Sequence, residues 1–287
     1  MGTREKNTTE LVSTAFLKTA LAEDLGRGDI TTDALVSKKL MGRGYFLAKQ
    51  DLILSGSFLV GRIFHLLNRT IQVHFDYQDG DFISQGIKFG TIVGPFHALL
   101  KGERTALNLL QRLSGISTLT HRFNRKIKGH KTRIIDTRKT LPGYRQLEKY
   151  AVRMGGGVNH RMGLYDQMLV KDNHISACKG DIGKATQKAR KRHPHQKLVV
   201  EVSTIEQIEP AIEGGADRLL LDNMTNAKIK ECLALIRKRV PVEVSGQIDM
   251  GRVSQLSQIG VDLISVGAIT HSAPASDISL KITPIES

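Results

Sequence analysis

The 287-residue sequence contains no tryptophan, and its aromatic residues amount to only 5%. Nucleic-acid surfaces usually stack bases on aromatic side chains, so this scarcity argues against that class of partner. Cysteine is equally rare. Cys178 and Cys232 cannot build a disulfide framework, and they lack the CxxC spacing of a metal site. No apolar run reaches the roughly 20 residues needed to span a bilayer. The opening stretch MGTREKNTTE is polar and has no apolar core of a secretion signal. These absences point to a soluble globular chain in a reducing cytoplasm, and no membrane or nucleic-acid partner is expected, although the charge by itself leaves nucleic acid open.

Acidic residues are in short supply as well. Asp and Glu number 28 against 42 Lys and Arg, a formal net charge of +14. Such a surplus suits a polyanion or small acidic and phosphorylated substrates. The basic cluster Lys188–Arg192 (KARKR) reads as a solvated helix end. Motifs that would name a chemistry outright are missing too: there is no Walker-type loop, nucleophile elbow or zinc spacing, and Gly155-Gly156-Gly157 does not fit GxGxxG.

What is present is a rhythm. From about residue 130, short apolar runs end in polar residues and are followed by helical stretches. The runs are Thr132–Asp136, Met168–Val170, Leu198–Val202, Arg218–Leu221, Val240–Val244 and Leu263–Val266. Ile205, Ile208 and Ile212, then Ile229, Leu233 and Ile236, show the helical spacing between them. Glu201, Asp222, Ser245 and Gly267 sit at or just past the run ends, 21, 23 and 22 residues apart. Equal βα units predict a (β/α) barrel, incomplete because only six units are visible; an open doubly wound sheet is the structural alternative. The N-terminal part differs. Residues 9–25 predict a helix with Thr9 and Glu10 in its first turn, and strand-like runs follow at Tyr45–Ala48, Leu52–Leu54 and Ile71–Tyr77. A linking helix is expected from Glu103 to Lys128, with Ala106, Leu110, Leu113, Ile116, Phe123 and Ile127 on one apolar stripe. The expected fold class is α/β: an α+β sandwich domain over 1–104, rejoined by a returning strand within 273–287, and an incomplete TIM-like barrel over 105–272.

Barrels gather their chemistry at the C-terminal ends of the strands. Those ends supply Thr137, Arg138 and Lys139, then Lys171, Asp172 and His174, then Glu201, Asp222, Ser245-Gly246 and Gly267, with His160 and Arg161 just before the second run. Guanidinium forks suit carboxylates, and the late loops at 245–247 and 266–268 fall where barrels bind phosphate through backbone N–H groups. Each residue has a plainer alternative. Glu201 in LVVEV is costly to bury unless paired, and Asp222 can simply cap the helix after it. His174 and His271 read as hydrogen-bonded structural histidines.

The stretch DTRKTLPGYRQLEKYAVRMGGGVNHRMGLYDQMLVKDNHI (136–175) resembles the signature of the quinolinate phosphoribosyltransferase family, the carboxylating nicotinate-nucleotide pyrophosphorylases. GERTALNLLQRLSGIST (102–118), EVSTIEQIEPAIEGGADRLLLDNM (201–224), VEVSGQI (242–248), GVDLISVGAITHS (260–272) and EDLGRGDITTDAL (23–35) resemble the same family in the same order. The resemblance implies a type II phosphoribosyltransferase that joins quinolinate to phosphoribosyl pyrophosphate and releases nicotinate mononucleotide, CO₂ and pyrophosphate. It implies a homodimer in which Arg104 reaches the neighbour's barrel. Arg138, His160, Arg161 and Lys171, with Arg104, would line the dicarboxylate, Lys139 would contact the diphosphate end, and Thr137 would be a further substrate-binding residue. Glu201 and Asp222 would hold the ribose hydroxyls and Mg²⁺, the metal largely through substrate and water. Ser245, Gly246 and Gln247, with Val266, Gly267 and Ala268, would cradle the 5-phosphate. Lys139, Lys171, Glu201 and Asp222 are the implied catalytic set. Two positions depart from the family pattern: Ser203, where many relatives carry a second acid, and Gln247, where Gly or Asn is usual. A relative acting on another acceptor, or a basic nucleic-acid-binding protein using the barrel as scaffold, are the competing readings.

Overall fold

A computed structural model describes residues 11–286 of the chain. The chain opens with α1 (Thr14–Leu25), whose N-cap Ser13 accepts a hydrogen bond from the Phe16 N–H, and α2 (Ile30–Leu35), capped in the same way by Asp29. The expected first-turn residues Thr9 and Glu10 lie outside the described residues. Then follow β1 (Met41–Ala48), β2 (Leu52–Ile53), α3 (Ser57–Leu67), β3 (Gln72–Phe75), β4 (Phe82–Ile83), β5 (Lys88–Pro95) and the 31-residue α4 (Phe96–Lys126). The predicted apolar stripe of α4 is buried throughout, although the helix begins at Phe96 and not at Glu103. The rest of the chain alternates: β6 (Arg133–Ile135), α5 (Arg145–Met154), β7 (Met168–Val170), α6 (Asp172–Ala177), α7 (Ile182–Arg192), β8 (Leu198–Val202), α8 (Ile208–Glu213), β9 (Arg218–Asp222), α9 (Asn226–Ile236), β10 (Val242–Ser245), α10 (Met250–Ile259), β11 (Leu263–Ser265), α11 (Ala268–His271) and β12 (Ile278–Pro284).

Two compact units result. The first holds the chain up to His121, Pro142–Gly156 and the chain from Ala273 onward; the second holds Arg122–Leu141 and Gly157–Ser272. The division expected after residue 104 comes instead after His121, also within the unbroken α4, and Pro142–Gly156 returns to the first unit.

In the first unit a four-stranded antiparallel sheet has the order β12-β1-β5-β3. β1 alternates exposed and buried residues along its length, the period-two pattern of a sheet with one face on a core. Phe46, Phe75 and Phe89 meet on that buried face, with ring centroids 5.0–6.0 Å apart. β12 pairs with all of β1 from Ala48 back to Gly42, so the chain's last strand closes the sheet of its first unit.

The second unit carries a six-stranded parallel sheet in the order β6-β11-β10-β9-β8-β7. Its strands are continuous apolar runs such as Leu198–Val202, as expected where helices cover a parallel sheet. The order separates the two architectures left open by the sequence. A doubly wound sheet reverses direction from a central first strand. Here the first strand of the unit, β6, bonds to the last, β11, and each strand from β8 to β11 bonds to its predecessor. That is barrel connectivity interrupted at one seam, between β6 and β7. At the seam only an isolated bridge, Ile135 to Val158, continues the pairing of β6.

Candidate functional site

The C-terminal ends of the six strands surround a cavity of about 1020 Å³ in the second unit. Thr137, Arg138, Lys139, His160, Arg161, Lys171, Glu201, Asp222, Ser245, Gly246, Gln247, Gly267 and Ala268 all line it. Strand order sorts their charges. The cations Arg138, Lys139, Arg161 and Lys171 lie near the ends of β6 and β7, the two strands of the open seam, whereas Glu201, Asp222, Glu243 and Asp249 belong to β8, β9, β10 and the loop after β10. A cavity polarised in this way holds an anion on one side and a developing cation on the other.

The cationic side is built around a buried carboxylate. Asp136, at the end of β6, accepts hydrogen bonds from the His160 N–H (2.8 Å) and Asn159 Nδ2 (2.6 Å), which fastens the 159–161 turn beside the strand. The Arg161 N–H donates to His160 Nδ1 at 2.7 Å. The ring proton of His160 therefore sits on Nε2, which faces Glu243 Oε1 at 3.5 Å. With both nitrogens engaged, His160 meets the cavity as a wall and acts through its neighbours. Arg161 is buried and donates from Nη1 to the Gln167 carbonyl at 3.0 Å. Burial and the neighbouring Arg138 charge pull its guanidinium below its ordinary pKa, against the opposing Asp166. Two guanidinium groups that repel each other on one cavity wall favour an anionic ligand. The Lys139 backbone N–H is held by Thr137 Oγ1 (3.0 Å) and its carbonyl by Thr270 Oγ1 (2.7 Å), while its ammonium has no ion-pair partner among the described residues.

Across the cavity, Glu201 Oε2 accepts from Lys171 Nζ at 2.9 Å, so the carboxylate in the apolar LVVEV run is paired. Asp222 does not cap the next helix; Thr225 does. Asp222 instead accepts from Ser245 Oγ (2.5 Å) and Asn223 Nδ2 (2.7 Å), so the hydroxyl proton of Ser245 is committed to Asp222. His174 Nδ1 accepts the Lys171 N–H at 3.0 Å, a structural role, but His271 lines the cavity.

Sequence reasoning missed Glu243, which lines the cavity and is fully buried. Its Oε2 lies 3.1 Å from Arg218 Nε, an ion pair poorly aligned for a hydrogen bond, and Ser265 Oγ donates to Oε1. Burial alone would raise this carboxyl, but His160, Arg218 and Ser265 outweigh it and hold it below the usual carboxylate range. A glutamate inside the apolar run VPVEV was the available signal. Asn223 and Asp249 were also missed.

The two late loops differ from each other. Gly246, Gln247 and Ile248 donate no backbone hydrogen bond among the described residues, and neither do Gly267 and Ala268. Consecutive N–H groups near a left-handed turn form an anion-binding concavity, and Gly246 (φ +94°) and Gln247 (φ +51°) provide that turn. Val266 is a correction to the expected set: its side chain is in the core and its N–H donates to the Ile135 carbonyl at 3.0 Å, so nothing of it is left to bind a phosphate. Arg104 is exposed on α4 in the first unit and is not among the residues lining the cavity.

The chain matches two family models: the N-terminal domain of quinolinate phosphoribosyl transferase over residues 29–114 and its C-terminal domain over residues 116–281. It is 38% identical over 287 residues to the chloroplastic nicotinate-nucleotide pyrophosphorylase (carboxylating) of Arabidopsis thaliana, across 93% of this chain and 82% of that one. Among solved structures, NadC from Streptococcus pyogenes superposes with a TM-score of 0.91 at 37% identity, covering 95% of this chain and 96% of that chain. The nicotinate-nucleotide pyrophosphorylase from Francisella tularensis does so at 0.90 and 36%, covering 96% and 97%.

Proposed function

The chain belongs to the quinolinate phosphoribosyltransferase family, and from that premise we propose how its barrel cavity carries out the reaction. The protein transfers phosphoribosyl from phosphoribosyl pyrophosphate to quinolinate with loss of CO₂, giving nicotinate mononucleotide and pyrophosphate in de novo NAD biosynthesis. The observation that carries the site assignment is the convergence of Arg138, Lys139, Arg161 and Lys171 with Glu201 and Asp222 on one cavity.

Quinolinate, a dianion, binds on the cationic side, its carboxylates met by Arg138, Arg161 and Lys171; His160 keeps Arg161 aimed. The ribose lies against Glu201 and Asp222, with the 5-phosphate on the free N–H groups of Gly246–Ile248, Gly267 and Ala268. Pyrophosphate leaves C1 toward Lys139, whose unpaired ammonium meets the charge of the leaving group. Carboxylates beside C1 stabilise the oxocarbenium-like charge that develops. The pyridine nitrogen, a poor nucleophile beside an ortho carboxylate, attacks C1, so positioning does much of the catalysis. The C2–carboxylate bond of the ribosylated ring then breaks; CO₂ departs, the electron pair stays at C2 beside the cationic nitrogen, and a proton completes the product. Lys171 is paired with Glu201 before substrate arrives, and a quinolinate carboxylate would take over that ammonium, freeing Glu201 for the ribose.

Mg²⁺ belongs to this proposal as a cofactor. No group of three His, Cys, Asp or Glu among the described residues could hold a metal, and both carboxylates already accept hydrogen bonds. These donors fit a hard cation that arrives on the diphosphate and meets Glu201 and Asp222 largely through water. When bound, it neutralises charge on the departing pyrophosphate. A homodimer with Arg104 given to the neighbour's cavity is the other part of the proposal, supported by the exposure of Arg104 on α4. A cytoplasmic location, supported by the free cysteines Cys178 and Cys232, is checked by cell fractionation. For the chemistry, quinolinate labelled in the C2 carboxylate should release labelled CO₂ only when phosphoribosyl pyrophosphate and Mg²⁺ are both present, with equal nicotinate mononucleotide. Labelled CO₂ without nucleotide would overturn the assignment.

A further inference from the structure

We propose that Arg252 is a positioning residue that ties the loops after β9 and β10 together and so aims the N–H groups of the phosphate nest. The inference rests on the reading that Gly246–Ile248 take the 5-phosphate. Arg252 is the third residue of α10, where its own N–H donates to the N-cap Asp249 Oδ1 at 2.7 Å. From there its guanidinium forks. Nη1 donates to the Gly246 carbonyl at 2.7 Å and Nη2 to the Met224 carbonyl at 2.5 Å. It does not line the cavity, and no carboxylate pairs with it among the described residues, so both of its bonds go to the loops.

Those loops need such a tie. Asn223 (φ +53°), Gly246 (φ +94°) and Gln247 (φ +51°) are all left-handed, a conformation unfavourable for the two that carry a Cβ. Strained backbone of this kind persists only where its surroundings over-determine it. Part of the constraint is contact: a Cβ on Gly246 would stand 2.1 Å from Asn223 Oδ1, and the Asn223 N–H donates to the Ser245 carbonyl at 3.1 Å. The remainder is Arg252. A trans peptide points its carbonyl and its N–H in opposite directions. Gripping the Gly246 carbonyl therefore turns the Gln247 N–H, which shares that peptide, the other way, with Gly246 and Ile248 unbonded on either side. A single ammonium cannot reproduce a planar fork spanning two carbonyls. It also follows that Gln247, which departs from the small residues usual there, is tolerated because the loop is held from behind.

The test compares full-length Arg252→Met, Arg252→Lys and Gly246→Ala with the wild type. Measured for each are KM for phosphoribosyl pyrophosphate, KM for quinolinate, kcat, the inhibition constant of inorganic phosphate, and Tm. Losing two charge-assisted bonds predicts an increase of about tenfold or more in KM for phosphoribosyl pyrophosphate in both Arg252 variants, with phosphate inhibition weakened in parallel. KM for quinolinate should stay within about twofold and Tm within a few degrees. Gly246→Ala should lose phosphoribosyl pyrophosphate affinity whatever Arg252 does. If Gly246→Ala weakens that affinity while both Arg252 variants keep it, the tie is wrong and the nest stands. If Gly246→Ala also leaves it unchanged, the nest reading fails, and this inference with it. A lysine that restores the wild-type KM, or a Tm collapse with both KM values rising together, would overturn the positioning role.

Discussion

Among individual residues, Glu243 places a charge in the wall of the cavity with no access to solvent. It is an ionised carboxylate with no exposed surface, balanced by Arg218, His160 and Ser265. Removing one partner of a buried pair leaves the other uncompensated, so Glu243→Gln should cost about 3–5 kcal/mol near neutral pH. Because folding holds this carboxyl below its ordinary value of 4.5, its contribution is present above that value and is lost as pH falls through the folded pKa. Thermal unfolding of wild type and variant between pH 7 and pH 3.5 should therefore show the two curves converging in acid. A gap that stays constant with pH would show that the charge of Glu243 does not stabilise the fold. Lys139 is the opposite case, an exposed cation with no ion-pair partner among the described residues. Lys139→Ala should leave Tm unchanged while lowering kcat by about 100-fold or more, read by pyrophosphate release.

Among the elements, α4 and β12 depend on one close approach. At Gly115, in the middle of α4, an added Cβ would stand 2.0 Å from the Pro274 carbonyl oxygen. Beside it the Ser276 N–H donates to the Gln111 carbonyl at 2.9 Å, and Gln111 Nε2 donates to the Ile278 carbonyl at 2.7 Å. The chain is thus led across α4 into β12, which covers an edge of β1. Gly115→Ala has only backbone to push against, so it should destabilise the first unit by about 3 kcal/mol. It should also raise amide exchange along β1, the strand that β12 protects. Exchange unchanged at β1 would separate the helix contact from the strand pairing. The same scale shows what local pattern conceals. α3 and β5 had no reading in the sequence. The N-cap Gly56 of α3 has no side chain, and its start is held by Asp79, which accepts the Gly56 and Ser57 N–H groups at 2.7 and 3.1 Å from more than 20 residues away.

At the scale of the whole molecule, the chain carries a surplus of 14 positive charges, while the lining of the cavity holds as many carboxylates as Lys and Arg residues. The surface charge is then expected to act on encounter: kcat/KM for phosphoribosyl pyrophosphate should fall as ionic strength rises, with kcat little affected. Assembly is tested by complementation. Arg104→Ala and Lys139→Ala should each be nearly inactive, and mixing them to exchange subunits should recover about a quarter of wild-type activity. Half of the dimers would then be mixed, each with one intact site. Mixed dimers with no activity would exclude a shared site.

The sequence alone determined the six strands of the second unit, nearly to the residue, because buried parallel strands are continuous apolar runs and their spacing is a local property. The residues at the ends of those runs, and the long 136–175 block, pointed to the substrates in the same way. Only the tertiary structure decided where the sheet fails to close, that Lys171 and Glu201 share a hydrogen bond, that Val266 belongs to the core while Gly267 faces the cavity, that Glu243 is buried in the cavity wall, and that Arg252 stands behind it. These depend on which groups separated by tens of residues end up within about 3 Å of each other. Register, closure and the allocation of each N–H and carboxylate to a partner are settled by packing across the chain, and a periodicity read along it carries no record of them.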